Sequence, residues 1–385
     1  MSDHSTPSDT APALAVVGAY GAVGAAALRV IAERRPDTVV RLGGRDRTQA
    51  EALLAKSGLR GEAVEVDLYD GRSAARFCRG ARVVLNCAGP SYQVLDKVAW
   101  AAAAAGADYV DPGGDEPLLE ALTRTGTFTG TAVITAGMQP GLTGLLPRHL
   151  CATLDDPRRL TAYVGTMDRL TPAGAADYLL SLGGAYGEAR GAIRGGIRVE
   201  RELEPRTGVE LPYANNRVDV YPYLSFESAR LPELTGLTEI DWYNVFDGGA
   251  HMMNCLSRLQ GAMRGESDLT AAAEELTRAA ALDLFGRDPF QLMLFEVTGA
   301  DDAGRPATRS LALRAGDTYA LTGLVGALAV LAVLDGAVPP GVHFGSDVLD
   351  AQSVLAALRA EPAVGLLEVV DRPILAARAM EEGEL

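Results

Sequence analysis

Short runs of apolar residues alternate with alanine-rich stretches along the first third of the chain. The run at 13–18 (ALAVVG) is apolar throughout, as expected of a strand buried on both faces of a parallel sheet. Residues 22–34 then have the composition of a helix. Further strand-like runs, separated by helix-like segments, follow at 38–42, 62–66, 83–87 and 109–111. This strand–helix repetition predicts a parallel sheet with right-handed crossovers.

The pattern changes after Gly137. Candidate strands are then mixed with helices and glycine-rich turns, which predicts an α+β second domain. These strands are expected at 161–166, 293–298 and 309–314. From about 318 the chain is again rich in alanine and leucine, and its pattern predicts helices at 318–335 and 350–359.

The strongest motif, GAYGAVG at 18–24, lies between the first predicted strand and the first predicted helix. A dinucleotide site needs glycines at such a turn for a sharp bend, for the approach of the backbone to the pyrophosphate and for close helix packing. The phosphates then lie at the helix N-terminus, where free N–H groups favour negative charge. The motif predicts a Rossmann domain with cofactor contacts at Gly18, Tyr20, Gly21, Ala22, Val23 and Gly24.

The end of the second predicted strand indicates which dinucleotide is bound. An NAD site usually has an acidic residue there, which holds the ribose diol. In this chain the first charged residue is Arg45, which could pair with a 2′-phosphate, so the sequence favours NADP(H). Asp46 follows directly and leaves NAD as the alternative.

Two further strand ends complete the predicted cofactor site. Asp67 and Leu68 follow the third strand, and a carboxylate at this point either meets the adenine amino group or caps the next helix. The fourth strand runs into a turn of small residues, where a larger side chain would block the nicotinamide ribose. The cofactor contacts predicted in this turn are Cys87, Ala88, Gly89 and Pro90.

Composition narrows the classes of function. A net charge of -15 argues against nucleic acid as a partner, because phosphate binding requires a basic surface. The four cysteines are scattered and form no CxxC pair, so we expect reduced thiols and no metal site. The N-terminus lacks the apolar core of a signal peptide, and the apolar run near 324–334 is too short for a membrane span. We therefore expect a cytoplasmic protein that acts on a small molecule.

Five motifs occur in one order along the chain: GAYGAVG at 18–24, GGR at 43–45, NCAGP at 86–90, GADYVD at 106–111 and AGMQPGL at 136–142. Together they resemble the saccharopine dehydrogenase-like family, which includes saccharopine reductase and carboxynorspermidine dehydrogenase. Two later segments are similar to the family's C-terminal motifs: GDTYALTG at 316–323 and GVHFG at 341–345. The resemblance extends from residue 13 to about 360 and is weakest between 150 and 300.

The resemblance implies an α/β fold: an N-terminal Rossmann domain, an α+β second domain with a mixed sheet used in dimerisation, and C-terminal helices that return to the Rossmann domain. We expect a disordered tail at 1–12, the Rossmann domain at 13–138, the substrate and dimerisation domain at 139–317 and the C-terminal helical segment at 318–385. The implied function is that of a homodimeric, NADPH-dependent oxidoreductase. The implied reaction is hydride transfer to an imine in amino-acid-derived or secondary metabolism.

Few residues could supply the proton that imine reduction requires. Asp111 and Asp115 follow the fifth predicted strand and should face the cofactor, although capping of the loop between them is the alternative. Tyr92 lies one loop away. His251 belongs to the second domain and could reach a substrate. These four residues are the predicted catalytic candidates.

Gln139 departs from the pattern of the best-known relatives. Saccharopine reductases typically carry an acidic residue before the Pro-Gly at this junction, where this chain has an amide. A neutral amide cannot anchor an ammonium group as a carboxylate does, but it can still hydrogen-bond a polar group of a different substrate. Two alternatives therefore stay open: a carbonyl or enoyl reductase on the same scaffold, and a non-catalytic NADP-binding protein.

Overall fold

A computed structural model describes residues 12–124, 128–181, 187–259 and 266–375. The chain divides into two compact units, one comprising Met1–Leu142 with Tyr319–Val354 and the other Thr143–Thr318 with Leu355–Leu385. The predicted N-terminal tail lies outside the described residues except for Pro12.

The secondary structure is numbered in chain order. The strands are β1 (Leu14–Val17), β2 (Val39–Gly44), β3 (Arg60–Glu65), β4 (Val83–Asn86), β5 (Asp108–Val110), β6 (Thr131–Ile134), β7 (Asp156–Met167), β8 (Gly187–Ala189), β9 (Ala192–Arg194), β10 (Ile197–Val199), β11 (Arg206–Val209), β12 (Val218–Ser225), β13 (Glu239–Phe246), β14 (Phe290–Ala300), β15 (Pro306–Ala315), β16 (Gly341–Phe344) and β17 (Val364–Val370). The helices are α1 (Ala22–Arg34), α2 (Arg47–Ser57), α3 (Gly71–Cys78), α4 (Ser91–Val94), α5 (Lys97–Ala104), α6 (Glu116–Arg124), α7 (Leu142–Cys151), α8 (Pro172–Ser181), α9 (Phe226–Ala229), α10 (Leu231–Thr235), α11 (Ala250–Leu259), α12 (Glu266–Leu284), α13 (Thr318–Leu334), α14 (Gly345–Val348) and α15 (Ala351–Ala360).

The first unit is built on a parallel sheet of seven strands in the order β16-β6-β5-β4-β1-β2-β3. Its first strand, β1, is buried along its whole length, as its continuous apolar sequence predicts. Because β1 pairs with both β2 and β4, the strand order changes direction beside it. Open α/β sheets bind ligands at this kind of switch point, at the carboxyl ends of the strands. The predicted Rossmann domain is confirmed.

The C-terminal helix α13 is part of the core of the first unit. Ten of its residues are buried, and it packs against α1 at Gly323, where a Cβ would lie 2.6 Å from the Cβ of Ala26. The chain then forms β16, which pairs in parallel with β6. The return of C-terminal helices to the Rossmann domain is confirmed, and β16 is a seventh strand that the sequence pattern does not predict.

The second unit contains a mixed sheet. Its main path runs β10-β9-β13-β7-β14-β15-β17, and β12 pairs with β13, β11 and β8. β13 and β7 are parallel, whereas β7 and β14 are antiparallel. The three predicted strands lie within β7, β14 and β15, and the predicted mixed-sheet α+β fold is confirmed.

Two apolar clusters stabilise this unit. Helices α8, α11 and α12 pack together around Cys255 and Leu276, both of which are fully buried. A separate cluster lies on the sheet, where the rings of Tyr163 and Tyr243 stack with their centroids 5.1 Å apart.

The end of the chain differs from its predicted helical structure. Val364–Val370 is a strand that pairs antiparallel with β15, and the residues from Leu355 onward group with the second unit. The sequence VGLLEVV is rich in β-branched and apolar residues, which suit a pleated sheet better than a helix. The predicted return to the first unit therefore extends only to Val354.

None of the helices in the described ranges is long and apolar enough to cross a membrane.

Candidate cofactor site

The three glycines of the motif at 18–24, which spans the turn after β1 and the first turn of α1, have different physical requirements. Gly18 has a φ of +70°, and a Cβ there would lie 2.5 Å from the carbonyl oxygen of Cys87. A Cβ at Gly24 would lie 2.6 Å from the carbonyl oxygens of both Gly18 and Ala19, so this glycine allows α1 to start close to the turn. Gly21 has a φ of -66° and meets only the Gly18 carbonyl oxygen, at 3.1 Å. The packing of the protein therefore constrains Gly21 least.

The N-terminus of α1 suits an anionic group. Gly21 is the N-cap and provides no side-chain hydrogen bond, and the first turn contains no acidic residue. Both Gly21 and Ala22 are exposed. The N–H groups of a first helical turn need partners from outside the helix, and a phosphate satisfies them well. The geometry fits the pyrophosphate of a dinucleotide, with Val23 and Gly24 in the same turn.

At the end of β2, the carboxylate of Asp46 caps helix α2. One of its oxygens accepts hydrogen bonds from the backbone N–H groups of Thr48 (2.9 Å) and Gln49 (3.2 Å), and the other accepts one from the Gln49 side chain (2.9 Å). The hydrogen bonds from Gln49, first that of its side chain, lower the pKa of Asp46. Asp46 is the N-cap of α2, and this role uses the oxygens that a ribose diol would need.

Arg45 is the positively charged residue directly after β2. Its side chain is exposed and makes no hydrogen bond or ion pair within the described part of the chain. Arg47, two residues on, pairs instead with Glu51 at 2.7 Å.

Two aromatic rings account for the glycine pair that precedes Arg45. A Cβ at Gly43 would lie 2.3 Å from the ring of Phe77, and a Cβ at Gly44 would lie 2.4 Å from the ring of Tyr20. The Tyr20 hydroxyl also accepts a hydrogen bond from the backbone N–H of Asp46, at 3.1 Å. The glycine-rich turn after β1 and the end of β2 are therefore in direct contact.

Asp67 lies in a turn rather than at a helix cap. Its carboxylate accepts the N–H of Tyr69 at 2.8 Å, and its own N–H donates to Ser73. The N-cap of α3 is Asp70, so the interpretation of Asp67 as a helix cap is wrong. Asp67 is exposed and Leu68 half-buried, and their contact with adenine stays a prediction.

The turn after β4 lies against the glycine-rich turn. The carbonyl group of Cys87 and the N–H of Ala88 are the atoms nearest to Gly18, and the Gly89–Pro90 peptide is cis. Burial, with a smaller contribution from the negative charge of Asp111, raises the pKa of the Cys87 thiol. This cysteine is therefore a neutral thiol near pH 7.

Asp111 is held in a buried polar cluster beneath this turn. One of its oxygens accepts hydrogen bonds from the Tyr109 hydroxyl (2.6 Å) and the Asn86 amide (3.0 Å), and the other accepts the backbone N–H of Gly113 (2.8 Å). The Asn86 amide oxygen in turn accepts the N–H of Ala88, at 3.2 Å. Asp111 and Asn86 are each 3% exposed and Tyr109 is fully buried. These contacts connect the turn after β4 to the turn after β5.

The cluster contains two residues that sequence reasoning missed as site residues, Asn86 and Tyr109. Burial first, and then the charge of Asp111, raises the pKa of Tyr109 well above its usual value, so its hydroxyl stays protonated and donates to the carboxylate. A signal for Tyr109 was present, because residues 109 and 111 of the strand predicted at 109–111 point to the same face of a sheet. The hydrogen bonds that the Asp111 carboxylate accepts favour a positioning role for this residue over acid–base chemistry.

The other catalytic candidates occupy separate places. Tyr92 is half-buried in α4, and Asp115 is buried directly before α6, where its carbonyl oxygen accepts the N–H groups of Leu118 and Leu119. His251 is exposed in the first turn of α11 in the second unit, and its backbone N–H donates to Asp283 at 3.1 Å. Their catalytic roles stay predictions.

Gln139 belongs to the first unit and its side chain is exposed, after β6. The peptide that joins it to Pro140 is cis. Its contact with a substrate stays a prediction. The described residues contain no group of three His, Cys, Asp or Glu side chains that could hold a metal ion.

Part of the chain matches a known protein family, and nearly all of it is similar in fold to a solved structure. Residues 14–134 match the family model described as the saccharopine dehydrogenase NADP binding domain. No curated protein sequence matches the chain. Among solved structures, the chain is similar to apo saccharopine dehydrogenase (L-Glu forming) from Saccharomyces cerevisiae, with a TM-score of 0.68 and 16% identity over 94% of this chain and 100% of that one.

Two further solved structures are similar at lower TM-scores. GenD2 from gentamicin A biosynthesis, solved in complex with NAD, gives a TM-score of 0.41 and 14% identity over 96% of this chain and 99% of that one. The dehydrogenase MviM from Clostridium difficile gives a TM-score of 0.40 and 8% identity over 90% and 96%.

Proposed function

Because residues 14–134 match the saccharopine dehydrogenase NADP binding domain family, we propose that this protein is an NADPH-dependent oxidoreductase that acts on a carbon–nitrogen double bond. The predicted family resemblance is confirmed by that match. The fold shared with the yeast saccharopine dehydrogenase covers 94% of this chain.

The two residues that follow β2 support a preference for NADPH over NADH. Asp46 uses its carboxylate to cap α2, whereas Arg45 is exposed and makes no polar contact within the described residues. A guanidinium pairs with a phosphate through short, charge-assisted hydrogen bonds. This strand end therefore supports binding of the 2′-phosphate that NADPH has and NADH lacks.

The remaining chemistry follows from the cofactor. Bound NADPH would supply a hydride for the imine carbon, and the imine nitrogen would take a proton. The N-terminus of α1 would bind the pyrophosphate, and the small residues at 87–90 would leave room for the nicotinamide ribose. Tyr92 and Asp115 remain the candidates for proton donation in the first unit, since the hydrogen bonds that Asp111 accepts favour a positioning role for it.

Gln139 supports a substrate other than the precursors of saccharopine. Its exposed amide can donate and accept hydrogen bonds but carries no charge that would attract an ammonium group. We therefore propose an imine whose nearby group is polar and uncharged.

The cofactor proposal is tested by replacing Arg45. We expect Arg45→Ala to raise the dissociation constant for NADPH about 10- to 100-fold, because a hydrogen bond to a charged group contributes roughly 1.5–3 kcal/mol. The dissociation constant for NADH should stay unchanged, and isothermal titration calorimetry measures both. Arg60→Ala is the matched control, since Arg60 is an exposed arginine at the amino-terminal end of β3, opposite the predicted site. Equal losses for both cofactors would contradict the proposal.

The reaction is tested by following NADPH consumption with imines, ketones and enoyl thioesters. Turnover of imines alone supports the proposed reaction. Turnover only of ketones or enoyl thioesters would replace it with the carbonyl or enoyl reductase alternative. Tight NADPH binding without turnover of any class would favour a non-catalytic binding protein.

A further inference from the structure

We propose that Tyr20 is a positioning residue for cofactor selectivity, because it fixes the backbone from which Arg45 projects. The inference rests on the proposed function, since it assigns to Arg45 the binding of the 2′-phosphate. Tyr20 lies in the glycine-rich turn, so its expected role from sequence is contact with the cofactor itself. The structure gives it a second role, toward the neighbouring strand.

The Tyr20 side chain lies directly on the end of β2. A Cβ on Gly44 would be 2.4 Å from its Cε1, 2.8 Å from its Cζ and 2.9 Å from its hydroxyl oxygen. A side chain at position 44 would displace the ring, and Gly44 allows the ring to rest on the backbone. Tyr20 is half-buried in this position.

The Tyr20 hydroxyl fixes the peptide that follows Arg45. It accepts the N–H of Asp46 at 3.1 Å, and this N–H belongs to the same planar peptide group as the carbonyl of Arg45. The carboxylate of Asp46 is fixed on its other side by the first turn of α2. A second contact between the same segments, from the N–H of Ala19 to the carbonyl of Gly43 (3.2 Å), holds the strand end to the turn. Arg45 thus projects from backbone that is restrained before and after it.

This restraint matters for a ligand that uses Arg45. An arginine without polar partners in the described structure loses rotamer freedom when it pairs with a phosphate, and that loss weakens binding. A fixed backbone leaves only the side-chain torsions to be ordered. Loss of the Tyr20 hydroxyl should therefore weaken binding of a 2′-phosphate and leave binding of the rest of the dinucleotide unchanged.

The test uses Tyr20→Phe, which keeps the ring on Gly44 and removes the hydrogen-bond acceptor. We expect the dissociation constant for NADPH to rise about three- to tenfold, because backbone that the hydroxyl no longer restrains must be ordered when the 2′-phosphate binds, at a cost of at most about one neutral hydrogen bond. The dissociation constant for NADH should stay within about twofold. The second variant is Tyr20→Phe combined with Arg45→Ala. If Tyr20 acts through Arg45, then Tyr20→Phe has no further effect on NADPH binding in the Arg45→Ala background.

Different outcomes overturn different claims. If Tyr20→Phe weakens both cofactors equally, Tyr20 acts on the ADP-ribose that they share, and the inference is wrong. It is also wrong if Tyr20→Phe leaves selectivity unchanged while Arg45→Ala reduces it, and the proposed NADP site then still stands. If Arg45→Ala binds NADPH as tightly as the original protein, the proposed 2′-phosphate site and this inference both fall. Circular dichroism of each variant reports whether it is folded.

Discussion

At the scale of single residues, Asp111 connects two turns that are far apart in sequence. Its donors come from the end of β4, from β5 and from the backbone at Gly113. A buried carboxylate is stable only when hydrogen bonds compensate for its lost hydration. The sequence indicates an acidic residue near the cofactor but not its partners, because Asn86 and Asp111 are brought together by the pairing of β4 with β5.

We expect Tyr109→Phe to lower the free energy of unfolding at pH 7 by about 1–3 kcal/mol, because it removes a donor to a buried charge. The two proteins should also differ in alkali. In the native state the pKa of Tyr109 lies well above its ordinary value of 10.0, so above that pH the unfolded chain loses a proton that the native protein keeps. Stability is then lost as pH rises, by up to about 1.4 kcal/mol per pH unit for this one group.

Urea denaturation between pH 7 and pH values above 10 measures both effects. The variant should lose stability less steeply than the original protein on the alkaline side. Tyr69→Phe is the control, since Tyr69 is 68% exposed and its loss should change little. Parallel alkaline slopes for Tyr109→Phe and the original protein would show that Tyr109 does not resist ionisation.

At the scale of elements, the glycine motif at 18–24 contains glycines that protein packing requires and one that the ligand requires. Gly18 and Gly24 are required by contacts with backbone atoms, which cannot move aside. Gly21 has an ordinary φ and only one close contact. A sequence motif treats all three glycines alike, and only their three-dimensional contacts distinguish them.

We expect Gly24→Ala to destabilise the protein by about 1–3 kcal/mol, as overpacking against fixed atoms does. Gly21→Ala should change stability by less than about 1 kcal/mol and yet raise the dissociation constant for NADPH at least roughly tenfold, because the new methyl group occupies the approach to the helix N-terminus. Thermal denaturation and calorimetric titration separate the two effects. A Gly21→Ala variant that binds NADPH normally would contradict the predicted place of the pyrophosphate.

The elements also show which strands can be predicted from the sequence pattern. Apolar runs beside helical segments predict β1, β2, β4 and β5. The pattern also predicts β3, although half of its residues are charged. It misses β16, which has only four residues and includes a histidine, and it misses β17 because an alanine- and leucine-rich context favours helix. The choice between Arg45 and Asp46 was open for a similar reason, since it depends on where the Thr48 and Gln49 amides lie.

At the scale of the whole molecule, the predicted cofactor contacts all belong to one of the two units. Every one of these residues lies between Gly18 and Pro90, on the first sheet and its turns. A ligand stabilises the part of a protein to which it binds, by about 2.7 kcal/mol at a concentration 100 times its dissociation constant. The sequence predicts this division, because its dinucleotide motifs all precede the change in pattern.

We expect NADPH to slow hydrogen exchange mainly in the turns that follow β1, β2 and β4, and to leave β14 and β15 of the second sheet nearly unchanged. Mass spectrometry of exchanged peptides measures this protection. The Arg45→Ala variant at the same NADPH concentration should show less protection in the first unit. Protection that is as strong in the second sheet as in the first would contradict a cofactor site built from the first unit alone.

The pairing of β16 with β6 has a consequence for biosynthesis. Val342 lies opposite Ala132, so roughly 210 residues separate the partners in the chain. While the protein is being synthesised, β6 stays an open edge until the ribosome has made the whole second sheet except β17. An open edge can pair with another chain, and contacts between distant segments form slowly. The cofactor-binding unit is therefore synthesised first but completes its sheet only after most of the second unit has been made. Its nascent form is exposed to misassembly until then.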